Sequence, residues 1–240
     1  MDRREWLQTR LTADSATDSG SAVALVCARC VVEVSVSGAG ATVLSGFDRD
    51  DGDRGANRGL VYATNSTSAA LEDLQLTVGE GPCLDAFESG GPVLVPDLVA
   101  ERSRWPVFAP QAVALGAAAV FSFPLQIGVV RLGSLDLYRD AVGGLTNTEM
   151  TDALILADLA TEAIAEEIDG HQTADVSWLA DPHIEVHQAV GMVQMQLGVT
   201  TEVAFMRLRG YAFSNGLSMA EVARQVVART LRFRRESETR

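Results

Sequence analysis

Residues 181–227 read DPHIEVHQAVGMVQMQLGVTTEVAFMRLRGYAFSNGLSMAEVARQVV, and their punctuation settles the fold of the C-terminal end. Asp181-Pro182 offers an N-cap followed by proline at the first helical position, where the missing N–H costs nothing. Val186, Ala189, Val190, Val193 and Leu197 then form one apolar stripe, stopped by Gly198. Thr200 can cap a second helix whose buried face is Ala204, Phe205, Leu208, Tyr211 and Ala212, and Asn215-Gly216 closes it. Ser218 and Glu221 make a capping box for a third helix, and Leu217 with Val222 fits the hydrophobic staple. Met219, Val222, Ala223, Val226 and Val227 form its buried face. Three short amphipathic helices joined by tight turns bury a common core only as a compact bundle.

Charge sets this bundle apart from what precedes it. Residues 1–180 carry 11 arginines against 26 acids, whereas residues 181–240 carry 8 against 6. A small helical module that reverses the sign of an acidic chain is a candidate for touching a polyanion. The acidity of the first 180 residues argues against nonspecific contact of that part with nucleic acid or an anionic membrane. The chain has 240 residues, 47% of them hydrophobic and 21% charged, which suits a globular protein with room for two ordinary domains. No apolar run approaches the ~20 residues that span a bilayer. The start, Met1-Asp2-Arg3-Arg4-Glu5-Trp6, lacks the order of a secretory signal, and three cysteines make no disulfide framework. The expected location is the cytoplasm.

The first part mixes helices with antiparallel strands, an α+β pattern. Residues 1–20 read as a polar, frayed start, with a helix over Ala22–Val36. Strand-like runs follow at Ala41–Phe47, Leu60–Asn65, Val93–Val95, Ala118–Gln126 and Arg131–Tyr138, the last two joined as a hairpin through Ile127-Gly128-Val129-Val130. Arg49–Gly59 is a Gly-rich, charged surface loop, and short helices are expected at Ala69–Leu74 and around Gln111–Leu115. Thr146-Asn147-Thr148-Glu149 is a capping box opening a helix to about Ile168, with Met150, Ala153, Ala157, Ala160 and Ile164 along one face. That stripe suits either packing on its own domain or a short signalling seam. The expected layout is a first domain over 15–168, a polar linker over 169–177 and the bundle over 178–235.

The order Gln188-Ala189-Val190-Gly191-Met192, Gly198-Val199, Ala204…Leu208-Arg209…Ala212 and Leu217…Val222-Ala223…Val226-Val227 resembles the ANTAR domain, a three-helix RNA-binding module of transcription antitermination regulators. Residues 15–168 resemble a GAF domain, an α+β sensor fold with a central antiparallel sheet and a pocket on one face. The matching stretches are Gly79–Ala86 (GEGPCLDA), Val95-Pro96-Asp97-Leu98, Arg104-Trp105-Pro106, Phe123-Pro124-Leu125 and Gly133–Tyr138 (GSLDLY). The resemblance implies a signal-responsive regulator whose paired bundles, in a homodimer, grip tandem RNA hairpins so that the intrinsic terminator cannot form.

Carried over position by position, the family motif puts Gln188, Ala189, Val190, Gly191, Met192, Arg209 and Ala212 at or beside its RNA-facing positions, with Arg207 and Arg224 as candidate phosphate contacts. The family commonly has lysine where this chain has Val190, which removes one charge; Arg229, Arg232, Arg234 and Arg235 could compensate for it electrostatically. Glycine costs ~1 kcal/mol inside a helix, so Gly191 needs a reason, either close approach of RNA or tight helix packing. Ser218 reads as an N-cap rather than an RNA contact.

In the sensor part, Cys83, Trp105 and Phe123 are candidate pocket residues, with core packing as the alternative for each. All three histidines (His171, His183, His187) lie outside that domain, which argues against His-ligated haem or metal there. Cys27-Ala28-Arg29-Cys30 has no second CxxC partner and reads as helix packing. No metal or cofactor is expected, no cyclic-nucleotide signature is evident, and the sensor ligand stays unnamed. Two other readings remain: a GAF-fold redox enzyme using Cys83 in a loop, and a regulator whose bundle docks protein or duplex DNA.

Overall fold

A computed structural model describes residues 2–16, 20–45, 57–170 and 184–234. Residues 49–56 of the expected Arg49–Gly59 loop, residues 171–177 of the expected 169–177 linker, the Asp181-Pro182 cap and Arg235 lie outside the described residues; residues 57–59 of that loop are strand and residues 169–170 of that linker are helix.

Helix α1 (Arg3–Ser15) corrects the expectation of a frayed start. Its own residues supply a capping box, Asp2 with Glu5, and although most of them are polar, Trp6, Leu7 and Leu11 form a narrow apolar edge that packs on the core. Tertiary contacts hold it. Arg3 is bidentate to Asp152 (2.7 and 2.8 Å) and reaches Glu33 at 3.0 Å, while Arg4 pairs with Glu162 at 2.6 Å. Leu7 is fully buried. Helix α2 (Ala22–Glu33) follows, N-capped by Ser21.

Strands β1 (Gly38–Ser45), β2 (Asn57–Ala63), β3 (Val93–Val95), β4 (Ala119–Ile127) and β5 (Val130–Arg139) form an antiparallel sheet in the order β2-β1-β5-β4-β3. Between them lie α3 (Ser66–Val78), α4 (Pro82–Ser89) and α5 (Phe108–Ala114), and α6 (Asn147–Gly170) follows β5. The two shorter helices read in sequence extend by up to a turn at their ends. Helix α4 replaces a stretch read as loop: Gly81 enters it with φ +141 and Pro82 takes its first position.

Side chains alternate across the sheet with period two, and the two faces differ in chemistry. Ala39, Ala41, Phe121, Phe123, Leu125, Leu135 and Leu137 form the apolar face, covered by α1, α2 and α6. Ala153, Ala157, Ala160 and Ile164 pack there with Met150 at the edge, so the long helix lies on its own domain. Cys27 and Cys30 are buried in the same cluster, and burial pushes both thiols well above the usual range, which suits packing. The other face carries Thr42, Ser122, Ser134 and Asp136 and is covered by α3, α4 and α5. Arg139 ties the sheet to its helices, donating to the carbonyls of Val34 (2.8 Å) and Gly144 (3.0 Å) and to Glu149 Oε1 (2.7 Å).

Helices α7 (Ile184–Leu197), α8 (Thr201–Asn215) and α9 (Met219–Val227) form the three-helix bundle, with the expected punctuation from Gly198 onward. Gly198 and Gly216 adopt φ of +66 and +64, Thr200 accepts from Val203 N–H, and Ser218 and Glu221 cap reciprocally (2.8 and 3.1 Å). Val186, Val193, Ala204, Leu208, Met219, Val222 and Val226 fill its core.

Gly133 offers a sharp test of the sheet. A Cβ there would sit 1.9 Å from the Thr42 carbonyl oxygen, which is backbone and cannot step aside. Gly133→Ala should destabilise the sensor domain by about 3 kcal/mol through broken β1–β5 pairing, read by chemical denaturation.

Candidate functional site

Two regions of the molecule carry chemistry beyond packing, one under the sheet and one on the bundle. Under the sheet, register brings four hydroxyl and carboxyl side chains together. Ser122 pairs directly with Asp136 across β4–β5, and Thr42 with Ser134 across β1–β5. Ser122 donates to Asp136 Oδ1, Ser134 Oγ donates to Asp136 Oδ2 at 2.6 Å, and Thr42 Oγ1 donates to Glu72 Oε2 at 3.0 Å. Glu72, on α3, is hydrogen-bonded to Asp136. Ser134 Oγ also lies 3.0 Å from Cys83 Sγ, and Gln75 Oε1 accepts the Cys83 N–H at 2.9 Å.

The ligating atoms of Glu72, Cys83 and Asp136 lie within 4.8 Å of one another, all buried, and these are the residues that could hold a metal ion. Hydroxyl donors from Thr42, Ser122 and Ser134 also satisfy these carboxyls without a cation, and two adjacent buried carboxyls resist ionising together. Burial pushes Asp136 up to about 6, against the opposing pull of its hydrogen bonds from Ser122, Ser134 and Glu72. A cavity of about 10 Å³, one water's worth, adjoins it between Ser68, Leu71, Phe108, Val120 and Tyr138. Seating an organic ligand there requires α3 or its side chains to move.

Of the pocket residues expected from sequence, Cys83 belongs to this cluster, in the first turn of α4 rather than in a loop. Trp105 packs edge-on to Phe108 (6.2 Å) in the apolar core beside it. Phe123 lies on the opposite face of the sheet, in the cluster with α2 and α6, and shares no pocket with Cys83. Glu72, Thr42, Ser122, Ser134 and Asp136 escaped the sequence reading. The available signal was the alternation of Ser134 and Asp136 with Leu135 and Leu137, polar at period two within a buried run.

On the bundle, Gln188, Arg207 and Arg224 are exposed, Gly191, Met192 and Arg209 are half-buried, and Ala189, Val190 and Ala212 lie in the core. Gln188, Gly191 and Met195 follow one another along the outer face of α7 at helical spacing. A Cβ at Gly191 would meet nothing within 4 Å, and the same holds for Gly210 on α8. Tight packing among the described residues therefore does not explain either glycine. Between α3, α5 and α8 runs a cleft of about 550 Å³, lined by Asp73, Thr77, Gln111, Phe213 and Ser218 among others.

The fold and these sites define a sensor domain with a polar cluster under its sheet, followed by a small helical output module. A family model for the GAF domain matches residues 16–165, and one for the ANTAR domain matches residues 182–227. The chain belongs to the GAF-domain family and carries an ANTAR domain behind it, an architecture that fits a signal-responsive RNA-binding regulator. Among solved structures, the GAF domain of an Acinetobacter phosphoenolpyruvate-protein phosphotransferase is similar at 11% identity, over 72% of this chain and 100% of that one, with a TM-score of 0.50. The GAF domain of the Coxiella burnetii phosphoenolpyruvate-protein phosphotransferase is 16% identical over 70% and 95%, with a TM-score of 0.49. A type II free methionine-R-sulfoxide reductase from Thermoplasma acidophilum is 15% identical over 69% and 96%, with a TM-score of 0.38. The first likeness is one of fold alone. No curated protein sequence matches the chain. Among the described residues no helix is long and apolar enough to cross a membrane.

The raised Asp136 makes a pH prediction. The folded carboxyl holds its proton up to about pH 6, while the unfolded one loses it near pH 3.9. The folded state thus binds more protons across that window, so stability falls as pH rises through it. Wild-type protein should melt lower at pH 7 than at pH 5, and Asp136→Asn, neutral at both, should lose this part of the difference in a thermal-melt series.

Proposed function

We propose that this protein is a cytoplasmic, non-catalytic regulator that binds tandem hairpins in nascent RNA and, by holding them, keeps the intrinsic terminator from forming. The observation that supports the reading is the ANTAR match over residues 182–227 together with Gly191, a helix-interior glycine whose Cβ would meet nothing within 4 Å among the described residues. A bare backbone there lets a nucleic-acid backbone or a flipped base approach the helix, and exposed Gln188 and Arg207 supply donors for phosphate and base edges. Two hairpins call for two bundles, so the active form is a homodimer. The GAF domain supplies the input, a small molecule or other signal that favours one conformation or oligomeric state over another.

The test is a gel-shift titration of the full chain against tandem-hairpin RNA, a loop-scrambled RNA and duplex DNA at two salt concentrations. The expected result is saturable preference for the tandem hairpins, weakened by added salt. Equal binding to the scrambled RNA or tighter binding to duplex DNA would overturn the reading. Gly191→Ala separates folding from recognition. It should stabilise the bundle by up to ~1 kcal/mol through helix propensity, in thermal melts, while weakening RNA binding through the added methyl.

A further inference from the structure

Helix α3 is packed on two sides. Ser68, Leu71, Glu72 and Gln75, spaced three and four apart, face the sheet and its polar cluster. The adjacent stripe, Asp73, Leu76 and Thr77, faces the bundle. Leu76 is 3% exposed and belongs to the bundle's apolar cluster with Val186, Leu208 and Val222, not to either sensor core. Thr77 Oγ1 accepts a buried hydrogen bond from the N–H of Met219 at 3.0 Å. Met219 is the first residue of α9, and its N–H has no partner inside its own helix. A sensor side chain therefore completes the N-terminus of a bundle helix.

The end of α3 engages Arg209 as well. Gly79, the C-cap of α3, has φ +75, and a Cβ there would lie 2.7 Å from Arg209 Nη1. The guanidinium occupies the space that the missing side chain leaves and stacks over the Phe205 ring at 4.8 Å. Arg209 is one of the residues that the ANTAR motif places toward RNA.

We propose that this seam is a latch: the end of α3 docks on α8 and α9 and holds Arg209 against the sensor, so that the bundle presents its full RNA surface only after α3 lets go. This rests on the RNA-binding reading above. The adjacent stripe of the same helix carries Glu72 and Gln75, so a rearrangement of the buried cluster that shifts α3 acts on the latch directly. No separate wire is needed, since one rigid helix belongs to both contacts. By linkage, RNA that prefers the released form must itself promote release.

The experiment uses the full chain with two substitutions at the seam. Leu76→Glu places a charge in the bundle cluster without touching a sensor core, and Thr77→Val removes the acceptor for Met219 N–H with little change of shape. Each variant is titrated with tandem-hairpin and loop-scrambled RNA, and hydrogen exchange at the Met219 amide is followed with and without RNA. The expected result is faster Met219 exchange and at least ~5-fold tighter hairpin binding for Leu76→Glu, with a smaller change in the same direction for Thr77→Val. Saturating RNA should also speed exchange at Met219 in the wild type. Released variants that prefer the hairpins no more tightly than wild type would overturn the latch and leave the RNA reading standing. If neither wild type nor variants distinguish the hairpins from the scrambled RNA, the RNA reading fails and the latch fails with it. Should Leu76→Glu not fold, unchanged or slower Met219 exchange on adding RNA to wild type and Thr77→Val would overturn the proposal.

Discussion

Helix α3 is the element on which the rest of the molecule depends, because its two adjacent stripes are committed to different partners. On the sheet side it brings Glu72 to Asp136 and Gln75 to the Cys83 amide. On the bundle side it supplies Leu76 and Thr77. A rigid helix cannot rotate to improve one contact without loosening the other, since a turn of one residue moves every side chain by about 100°. Its termination is equally constrained. Gly79 takes the left-handed conformation that ends α3, Glu80 accepts from the Val107 and Phe108 amides to start α5, and Gly81-Pro82 opens α4. Four consecutive residues thus set the positions of three helices around the polar cluster.

That cluster is an unusual use of a buried sheet face. Buried carboxyls cost several kcal/mol unless they are hydrogen-bonded or protonated. Ser122, Ser134 and Thr42 provide the hydrogen bonds, and burial raises Asp136 toward its neutral form. The opposite side of the same sheet is apolar, with Phe121, Phe123, Leu135 and Leu137, and carries no such cost. The polar face instead offers a set of groups whose protonation and hydrogen bonding can change, next to a helix that touches the output module.

Much of this was legible in the residues. The helix ends of the bundle follow from caps that act locally, such as Ser218 with Glu221 and Gly216 after Asn215, and the apolar stripes follow from helical spacing. The five strands were readable from their runs, with ends displaced by up to three residues. Helix α1 was not, since most of its residues are polar, its apolar edge is short, and its anchor, Arg3 on the buried Asp152, lies 149 positions away in sequence. Helix α4 was hidden because Gly-Glu-Gly-Pro reads as loop until one sees that each residue ends, caps or begins a helix. The bundle motif was recognisable, while the burial of Ala189, Val190 and Ala212 within it could be read only as part of an apolar stripe.

The sequence by itself determined what depends on neighbours in the chain: an α+β sensor pattern, a three-helix module behind it, the caps between helices and the change of charge between the two parts. Tertiary structure decided which groups meet. Cross-strand register placed Asp136 beside Ser122, and helix packing added Glu72 and Cys83 to form one cluster. The same packing separated Phe123 from Cys83 by the thickness of the sheet and brought Thr77 to the amide of Met219. These contacts join residues far apart in sequence, and their partners are selected by packing geometry that no local pattern encodes.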